Sequence, residues 1–170
     1  MSVKKMTTLA VFTTVSLAIY AAESALPPLL PIPGAKLGLA NIITLVLLLR
    51  ASAKDAFWVL LVRILLSALL FGQFLSLLYS FSGGMLSLIV MACSMKLLQK
   101  KLTFLTGALG GLAHNLGQLL VAWAVTSASG VFAYLPFLTL SGILTGLFTG
   151  LCAAFTARHL LRGNLLQALQ

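Results

Sequence analysis

The sequence predicts an all-α integral membrane protein, a bundle of six transmembrane helices. Of its 170 residues, 61% are hydrophobic and 8% are charged, whereas about a quarter of the residues in a soluble domain carry charge. Long apolar stretches recur along the whole chain and leave no separate soluble domain. The net charge of +9 comes from basic residues that stand singly or in pairs at the ends of apolar runs. Topology signals have this distribution, so the charge does not indicate a nucleic-acid partner.

The apolar runs divide a single domain, residues 1–170, into spans at about 6–25, 36–50, 55–72, 80–99, 103–126 and 135–157. Each span is expected to be a helix, because an open sheet edge is not viable in lipid. The start "MSVKK" resembles that of a signal peptide, but the apolar run continues to Tyr20 without an A-x-A cleavage site, which predicts a retained first span. Cys93 and Cys152 form no C-x-x-C motif and are expected to be small buried hydrophobes.

The distribution of basic residues predicts the orientation. With the N-terminus inside, nine of the eleven basic residues fall on the cytoplasmic side, and the outer loops near 73–79 and 127–134 carry no charge. The positive-inside rule therefore predicts that both termini are cytoplasmic. These nine residues are Lys4, Lys5, Arg50, Lys54, Lys96, Lys100, Lys101, Arg158 and Arg162.

Lys36 and Arg63 are the two basic residues that this topology does not explain. At 1.5 Å per residue, Lys36 lies about 21 Å and Arg63 about 14 Å above the inner interface, inside a hydrocarbon core about 30 Å thick. Asn41 reaches the level of Arg63 and could hydrogen-bond to it. The preceding loop "SALPPLLPIPGA", in which Gly34 permits a turn, is expected to dip into the protein.

The fifth span carries the densest polar group, in "GGLAHNLGQLLVAW". His114 and Gln118 are four residues apart and share a helix face, with Asn115 beside them. The same rise places His114 about 20 Å and Glu23 about 27 Å above the inner interface. Polar groups at such depth usually face a bundle interior or a cavity. The alternatives are hydrogen bonds that merely join helices, a Lys36 side chain that snorkels to the surface and a Glu23 in the headgroup layer.

We therefore predict a ligand site open toward the outside, with a positive character that suits an anionic or oxygen-rich ligand. An outer-half cavity is expected to be lined by Lys36, Asn41, His114, Asn115 and Gln118. The full set of candidate ligand-binding residues is Lys36, Asn41, Arg63, His114, Asn115, Gln118 and Glu23.

Small residues recur every four positions in three spans, a pattern that lets helix backbones approach closely in lipid. In the fifth and sixth spans the pattern predicts packing within the bundle. In the first span it is also a candidate surface for docking another membrane subunit. The stripes are Ala10, Thr14, Ala18 and Ala22 in the first span, Gly107 and Gly111 in the fifth, and Gly142, Gly146, Gly150 and Ala154 in the sixth.

The sequence gives little basis for catalysis. It has no G-x-x-x-x-G-K-[ST] phosphate-binding loop, and its two carboxylates, Glu23 and Asp55, lie at opposite sides of the membrane in this topology. A magnesium-dependent diphosphate reaction needs clustered carboxylates. We expect no enzymatic activity, no metal and no cofactor, and no ATP-driven transport by this chain alone.

Four segments, "PIPGAKLGLANIITL", "LVRILLSALLFG", "SGGMLSLIVM" and "GGLAHNLGQLLVA", resemble bacterial membrane proteins known as heptaprenyl diphosphate synthase component I or the Gx transporter family. The resemblance covers roughly residues 8–155. That family is in turn similar to the substrate-binding S-components of energy-coupling factor (ECF) vitamin transporters. S-components have six helices, cytoplasmic termini, a first outer loop that gates an outer pocket, and a small-residue motif that docks on a transmembrane coupling subunit. Thr14 and Ala18, or Ala18 and Ala22, match that motif.

The resemblance implies a protein of the bacterial cytoplasmic membrane that captures an isoprenoid-, quinone- or redox-cofactor-related ligand for uptake with a coupling subunit and its ATPases. Two alternatives remain open. One is a non-catalytic membrane subunit of a polyprenyl diphosphate synthase, although the aspartate-rich motifs of prenyl synthases are absent. The other is a membrane subunit of a menaquinone- or flavin-linked extracellular electron-transfer assembly.

Overall fold

Every regular element of the described chain is helical, which confirms the predicted class. The computed structural model describes residues 2–25, 36–71, 74–98 and 102–162. A 3-10 segment at Ser129–Tyr134 precedes the last helix. The six α-helices are α1 (Val3–Ala25), α2 (Asn41–Arg50), α3 (Ala53–Phe71), α4 (Phe74–Leu97), α5 (Thr103–Thr126) and α6 (Leu135–Arg162).

Four helical segments are long and apolar enough to cross a membrane, namely α1, α4, α5 and the run from Ser129 to Leu160. The other two helices differ from them. With 10 residues, α2 is about 15 Å long and is shorter than the hydrocarbon core. With 19 residues, α3 is long enough, but it carries Lys54, Asp55 and Arg63. The fold is therefore that of a multi-pass membrane protein.

Two predicted helix starts are wrong. The second span was expected from residue 36, but α2 begins at Asn41, because Gly38 has a backbone φ of +81° that no α-helix contains. The fourth span was expected from residue 80, but α4 begins at Phe74, so most of the predicted outer loop near 73–79 is helix. Ser76 in this stretch and Ser80 after it are both buried inside the bundle. The predicted proline-rich turn, with Gly34, lies outside the described residues.

The centre of the bundle is α2. Leu45, Val46 and Leu47 have no exposed surface, and the helix contacts α1, α3, α4 and α6. A helix that is apolar on all sides is stable only when other elements surround it. Because α2 is short and central, the chain before it, residues 36–40, reaches the interior of the protein with an irregular backbone. Such backbone is tolerated at membrane depth where protein buries it.

Glycines bring α5 and α6 into backbone contact, as the stripes on these two helices predicted. Gly107 and Gly111 of α5 face Gly142, Gly146 and Gly150 of α6. A Cβ atom at Gly146 would lie 2.7 Å from the Cα of Ala108, and one at Gly107 would lie 2.6 Å from the Cα of Gly150. Real side chains do not approach so closely, so this helix pair depends on glycine.

The outer surface of the bundle is apolar, as expected for a surface that faces lipid. Leu69 is 81% and Phe155 65% exposed. The predicted burial of the two cysteines is wrong, since Cys93 is exposed on α4 and Cys152 is half-buried on α6. A thiol is apolar enough to face hydrocarbon, so its presence in a span does not require a place in the core.

One end of the bundle is fixed by an ion pair. The Nζ of Lys5 lies 2.9 Å from Oδ2 of Asp55, so the first turns of α1 and α3 are neighbours. Ser52 caps α3, because its Oγ accepts a hydrogen bond from the Asp55 N–H at 3.1 Å and donates one to the Asp55 carboxylate at 2.8 Å. This contact places the basic start of α1 beside the basic turn between α2 and α3.

Candidate ligand-binding site

At the opposite end of α1, the Glu23 carboxylate holds the segment that leads into α2. Its Oε1 accepts a hydrogen bond from the Gly38 N–H at 2.8 Å, and its Oε2 accepts one from the Leu39 N–H at 3.1 Å. Glu23 is 7% exposed, so it lies inside the protein. The backbone N–H groups of Gly38 and Leu39 are thus bound by a carboxylate of the chain itself.

Gly38 shapes this segment, and sequence reasoning did not single it out. Its φ of +81° is unfavourable for any residue with a side chain. Space is restricted as well, since a Cβ at this position would lie 2.7 Å from Cδ2 of His114. The signal was the glycine within "KLGLAN", placed between a lysine and an apolar run.

Lys36 is attached to both halves of the sequence. Its Nζ donates a hydrogen bond to Oγ of Ser24 and lies 3.4 Å from the centre of the Tyr20 ring, a cation–π contact. Its backbone N–H donates to Oε1 of Gln118 at 3.3 Å. The ammonium therefore lies over the end of α1, while the main chain at this residue binds α5.

Gln118 also contacts His114, and this contact determines which nitrogen of the imidazole ring carries the proton. Because Oε1 of Gln118 accepts from Lys36, the amide nitrogen is the donor toward Nε2 of His114, at 2.9 Å. An accepting Nε2 carries no proton, so the imidazole is neutral and its hydrogen is on Nδ1. This Nδ1 lies beside the backbone of Gly83 on α4 and, among the described residues, makes no hydrogen bond of normal geometry.

Arg63 is the most unusual residue of the site. It is 3% exposed, and no carboxylate in the described part of the chain lies within ion-pair distance of it. Its Cζ lies 5.5 Å from the centre of the Tyr20 ring. The predicted hydrogen bond to Asn41 does not form, because both the Nε of Arg63 and the Oδ1 of Asn41 are buried without a partner in the described residues.

Tyr20 joins these groups, and the sequence did not reveal it. Its ring contacts both cations, Lys36 and Arg63, and its hydroxyl is 2.8 Å from Oγ of Ser76 on α4. The only signal was a tyrosine near the end of an apolar span, which is also the usual place for an interfacial anchor. Its burial, at 4% exposed, distinguishes the two roles.

A small cavity of about 10 Å³ lies between these groups. That volume holds about one water molecule. Of the residues predicted to line a cavity here, Lys36 and His114 do so, whereas Asn41, Asn115 and Gln118 are not among the described lining residues. Glu23 and Arg63, which were also candidates, do line it. The described lining residues are Tyr20, Glu23, Lys36, Gly38, Ala40, Arg63, Ser80 and His114.

Asn115 points away from the cavity. Its Nδ2 donates hydrogen bonds to the carbonyl oxygen of Leu138 at 2.8 Å and to Oγ of Ser141 at 3.1 Å, so it joins α5 to α6. Asn115 therefore fits the alternative in which a polar side chain joins two helices by hydrogen bonds instead of lining a ligand site. A neighbouring residue on a helix is rotated by about 100°, which takes Asn115 off the face of His114 and Gln118.

The geometry defines a class of protein: a multi-pass helical membrane protein with a small polar cavity between its helices, lined by two cations and one carboxylate. Among the described residues, no cluster of three or more His, Cys, Asp or Glu side chains is suited to hold a metal ion. The sequence matches the family model described as heptaprenyl diphosphate synthase component I over residues 12–156, and the chain belongs to this family. No curated protein and no solved structure matches it significantly.

Proposed function

We propose that the protein is a substrate-binding membrane subunit that captures a small anionic or oxygen-rich ligand from the outer side of the bacterial cytoplasmic membrane. The observation that carries this proposal is the Arg63 guanidinium, which lines a cavity beside the segment at residues 36–40 and whose buried Nε has no hydrogen-bond partner among the described residues. A buried cation without a counter-ion is costly in a medium of low dielectric constant. A ligand that supplies the missing acceptors removes that cost.

The cavity represents a closed state of such a site. It holds about one water molecule, so a ligand enters when residues 36–40 move outward. Glu23 at one end and Gln118 at the other hold this segment through three hydrogen bonds. These contacts can break while a ligand enters and re-form once it is bound, because each donor on the segment is a backbone N–H. An isoprenoid-, quinone- or redox-cofactor-related molecule with an acidic or oxygen-rich end is the class we expect.

The chain itself is proposed to be non-catalytic. Both of its carboxylates have structural partners, Glu23 with Gly38 and Leu39, and Asp55 with Lys5. The two carboxylates are far apart in sequence. Glu23 lies near the end of α1, whereas Asp55 lies beside its start. The protein would therefore work with a separate complex, and a coupling subunit with its ATPases is the partner that we propose for ATP-driven uptake.

The family description supports a second function. It names a synthase component, so the chain would serve as the membrane partner of a soluble catalytic component that makes heptaprenyl diphosphate. In that case the inner surface would bind the partner. A membrane subunit of a menaquinone- or flavin-linked electron-transfer assembly is a third arrangement with the same non-catalytic role.

The orientation that we propose has all six helices in the membrane and both termini in the cytoplasm. The Lys5–Asp55 pair groups the basic starts of α1 and α3 at one end, and the Tyr20–Ser76 contact groups the end of α1 with the start of α4 at the other. The cavity then lies nearer to the outer face, which is required for capture from outside.

Native mass spectrometry of the protein extracted in a mild detergent tests the proposal. We expect one small molecule bound per chain, with a mass that identifies its class, and co-purification of a second membrane subunit. Protein that carries no small molecule but co-purifies with a soluble prenyl synthase would reject ligand capture in favour of the synthase component. Proteomic analysis of the same preparation distinguishes these partners.

A further inference from the structure

Resting on the proposed function, we propose that Arg63 binds a singly charged acid group, such as a carboxylate, and that the site rejects diphosphates. The inference concerns the ligand's charge and is derived from the charged groups that face the cavity. Among the described lining residues these are Lys36, Arg63 and Glu23. Two cations and one carboxylate leave a single positive charge, and His114 adds none because its ring accepts a hydrogen bond from Gln118.

The two cations are not equivalent. Lys36 is half-exposed and already bound, with Ser24 as acceptor and the Tyr20 ring beneath its ammonium. Arg63 is buried and has no acceptor in the described part of the chain. A guanidinium presents a planar fork of N–H donors that matches the two oxygens of a carboxylate. Arg63 is therefore the buried cation of the cavity with a donor, its Nε, that has no partner among the described residues.

Glu23 limits the charge that the site accepts. Its carboxylate lines the same cavity and is fixed by the N–H groups of Gly38 and Leu39, so it cannot turn away without releasing the segment. A ligand with two or three negative charges would meet Arg63, the already bound Lys36 and one fixed carboxylate in a medium where charges interact strongly. A monoanion is neutralised there, whereas a diphosphate retains uncompensated charge.

Thermal unfolding of the purified protein in lipid nanodiscs, at constant ionic strength, measures this preference with simple probes. Sodium formate and sodium acetate are compared with sodium sulfate and sodium diphosphate. We expect formate and acetate to raise the midpoint of unfolding in a saturable way, and the multivalent anions to have a smaller effect. This comparison uses the unmodified protein, so it does not depend on the folding of any variant.

Variants then assign the effect to the site. Arg63→Gln should weaken the apparent affinity for formate by roughly 30-fold or more, as removal of one partner of a buried charge pair does. Arg63→Lys keeps the charge without the fork and should retain a weaker response. The matched control is Arg158→Gln, because Arg158 is exposed on α6, and its response should equal that of the unmodified protein.

Two results would overturn the inference. One is a larger, Arg63-dependent stabilisation by sulfate or diphosphate than by formate, which would leave ligand capture standing with a different ligand charge. The other is the absence of any anion effect that depends on Arg63. A different result would reject the proposed function itself: native mass spectrometry would then show the protein without a bound small molecule.

Discussion

At the scale of single residues, one aromatic ring organises the charges of the site. Tyr20 lies beneath the Lys36 ammonium and beside the Arg63 guanidinium, and its hydroxyl contacts Ser76. Contacts of cations with a desolvated aromatic face are worth up to about 2 kcal/mol each. The ring thus compensates in part for placing two like charges close together, and among the described residues it leaves the Nε donor of Arg63 without a hydrogen-bond partner.

Glu23 provides the first prediction at this scale. In Glu23→Gln the amide oxygen can accept one of the two N–H groups of Gly38 and Leu39, while the amide nitrogen is a donor and faces the other. Hydrogen bonds to a charged group contribute about 1.5–3 kcal/mol, so we expect the free energy of unfolding to fall by about that amount. The midpoint of thermal unfolding, followed by tryptophan fluorescence in detergent, measures the change.

The matched control introduces the same amide two residues further on. Ala25 is exposed at the end of α1, so Ala25→Gln should leave the unfolding midpoint unchanged. Equal midpoints for Glu23→Gln and the unmodified protein would mean that the carboxylate does not hold the segment before α2.

At the scale of helices, α1 and the α5–α6 pair use small residues in different ways. On α5 and α6 the glycines are buried and bring the backbones together. On α1 all four residues of the predicted docking stripe are exposed, while Leu9 and Phe12 on another face pack into the core. The stripe is therefore available to another membrane protein. Its four residues are Ala10, Thr14, Ala18 and Ala22.

The exposure of Ala18 leads to the second prediction. Ala18→Leu adds a side chain outside the bundle, so the unfolding midpoint should stay unchanged, whereas overpacking a buried position would cost about 1–3 kcal/mol. If a partner helix docks on the stripe, the larger side chain keeps the two backbones apart and forfeits their dispersion contacts. We expect co-purification of the partner subunit to fall at least tenfold, as measured by quantitative pull-down.

Ala124→Leu is the control for this change. Ala124 is exposed on α5, away from the stripe, and its replacement should affect neither the midpoint nor the pull-down. A stable Ala18→Leu protein that retains its partner would exclude docking through this stripe.

The sequence predicts a helix boundary well when local residues determine it, and poorly when a tertiary contact does. The bounds of α5 were predicted to the residue, because its apolar run is continuous and ends at Ser127, which adopts a left-handed backbone conformation. The start of α2 was not predicted correctly, because a carboxylate on α1, distant in sequence, binds the Gly38 N–H and stabilises the positive φ of this residue. Local pattern reveals a long apolar helix, but not an irregular segment that owes its shape to a tertiary contact.

The residues of the candidate site also fall into two groups: those that the sequence could reveal and those that it could not. The predicted topology left Lys36 and Arg63 unexplained, and the polar group of the fifth span drew attention to His114. The structure places all three around one cavity. Tyr20 and Gly38 could not be selected, since a tyrosine and a glycine are ordinary in a membrane helix and a loop. Their importance depends on neighbours that come from other parts of the chain.

At the scale of the whole molecule, its charges define two different ends. Basic residues occur at the starts of α1 and α3 and at the end of α2, and the Lys5–Asp55 pair shows that the starts of α1 and α3 are neighbours. The segment between α5 and α6, residues 127–134, is exposed at almost every position and carries no charge. By the positive-inside rule we expect the first end to be cytoplasmic and the second to be external.

Cysteine labelling tests this orientation, which is the last prediction. In a background with Cys93→Ser and Cys152→Ser, single cysteines are introduced as Gly130→Cys and Ala53→Cys. Both positions tolerate the change, because a Cβ at Gly130 has no atom within 4 Å and Ala53 is exposed at the start of α3. A membrane-impermeant maleimide applied to intact cells should label Gly130→Cys and should label Ala53→Cys only after permeabilisation. Labelling of Ala53→Cys alone in intact cells would show the reverse orientation, which would place the cavity nearer to the cytoplasm and remove the basis for capture from outside.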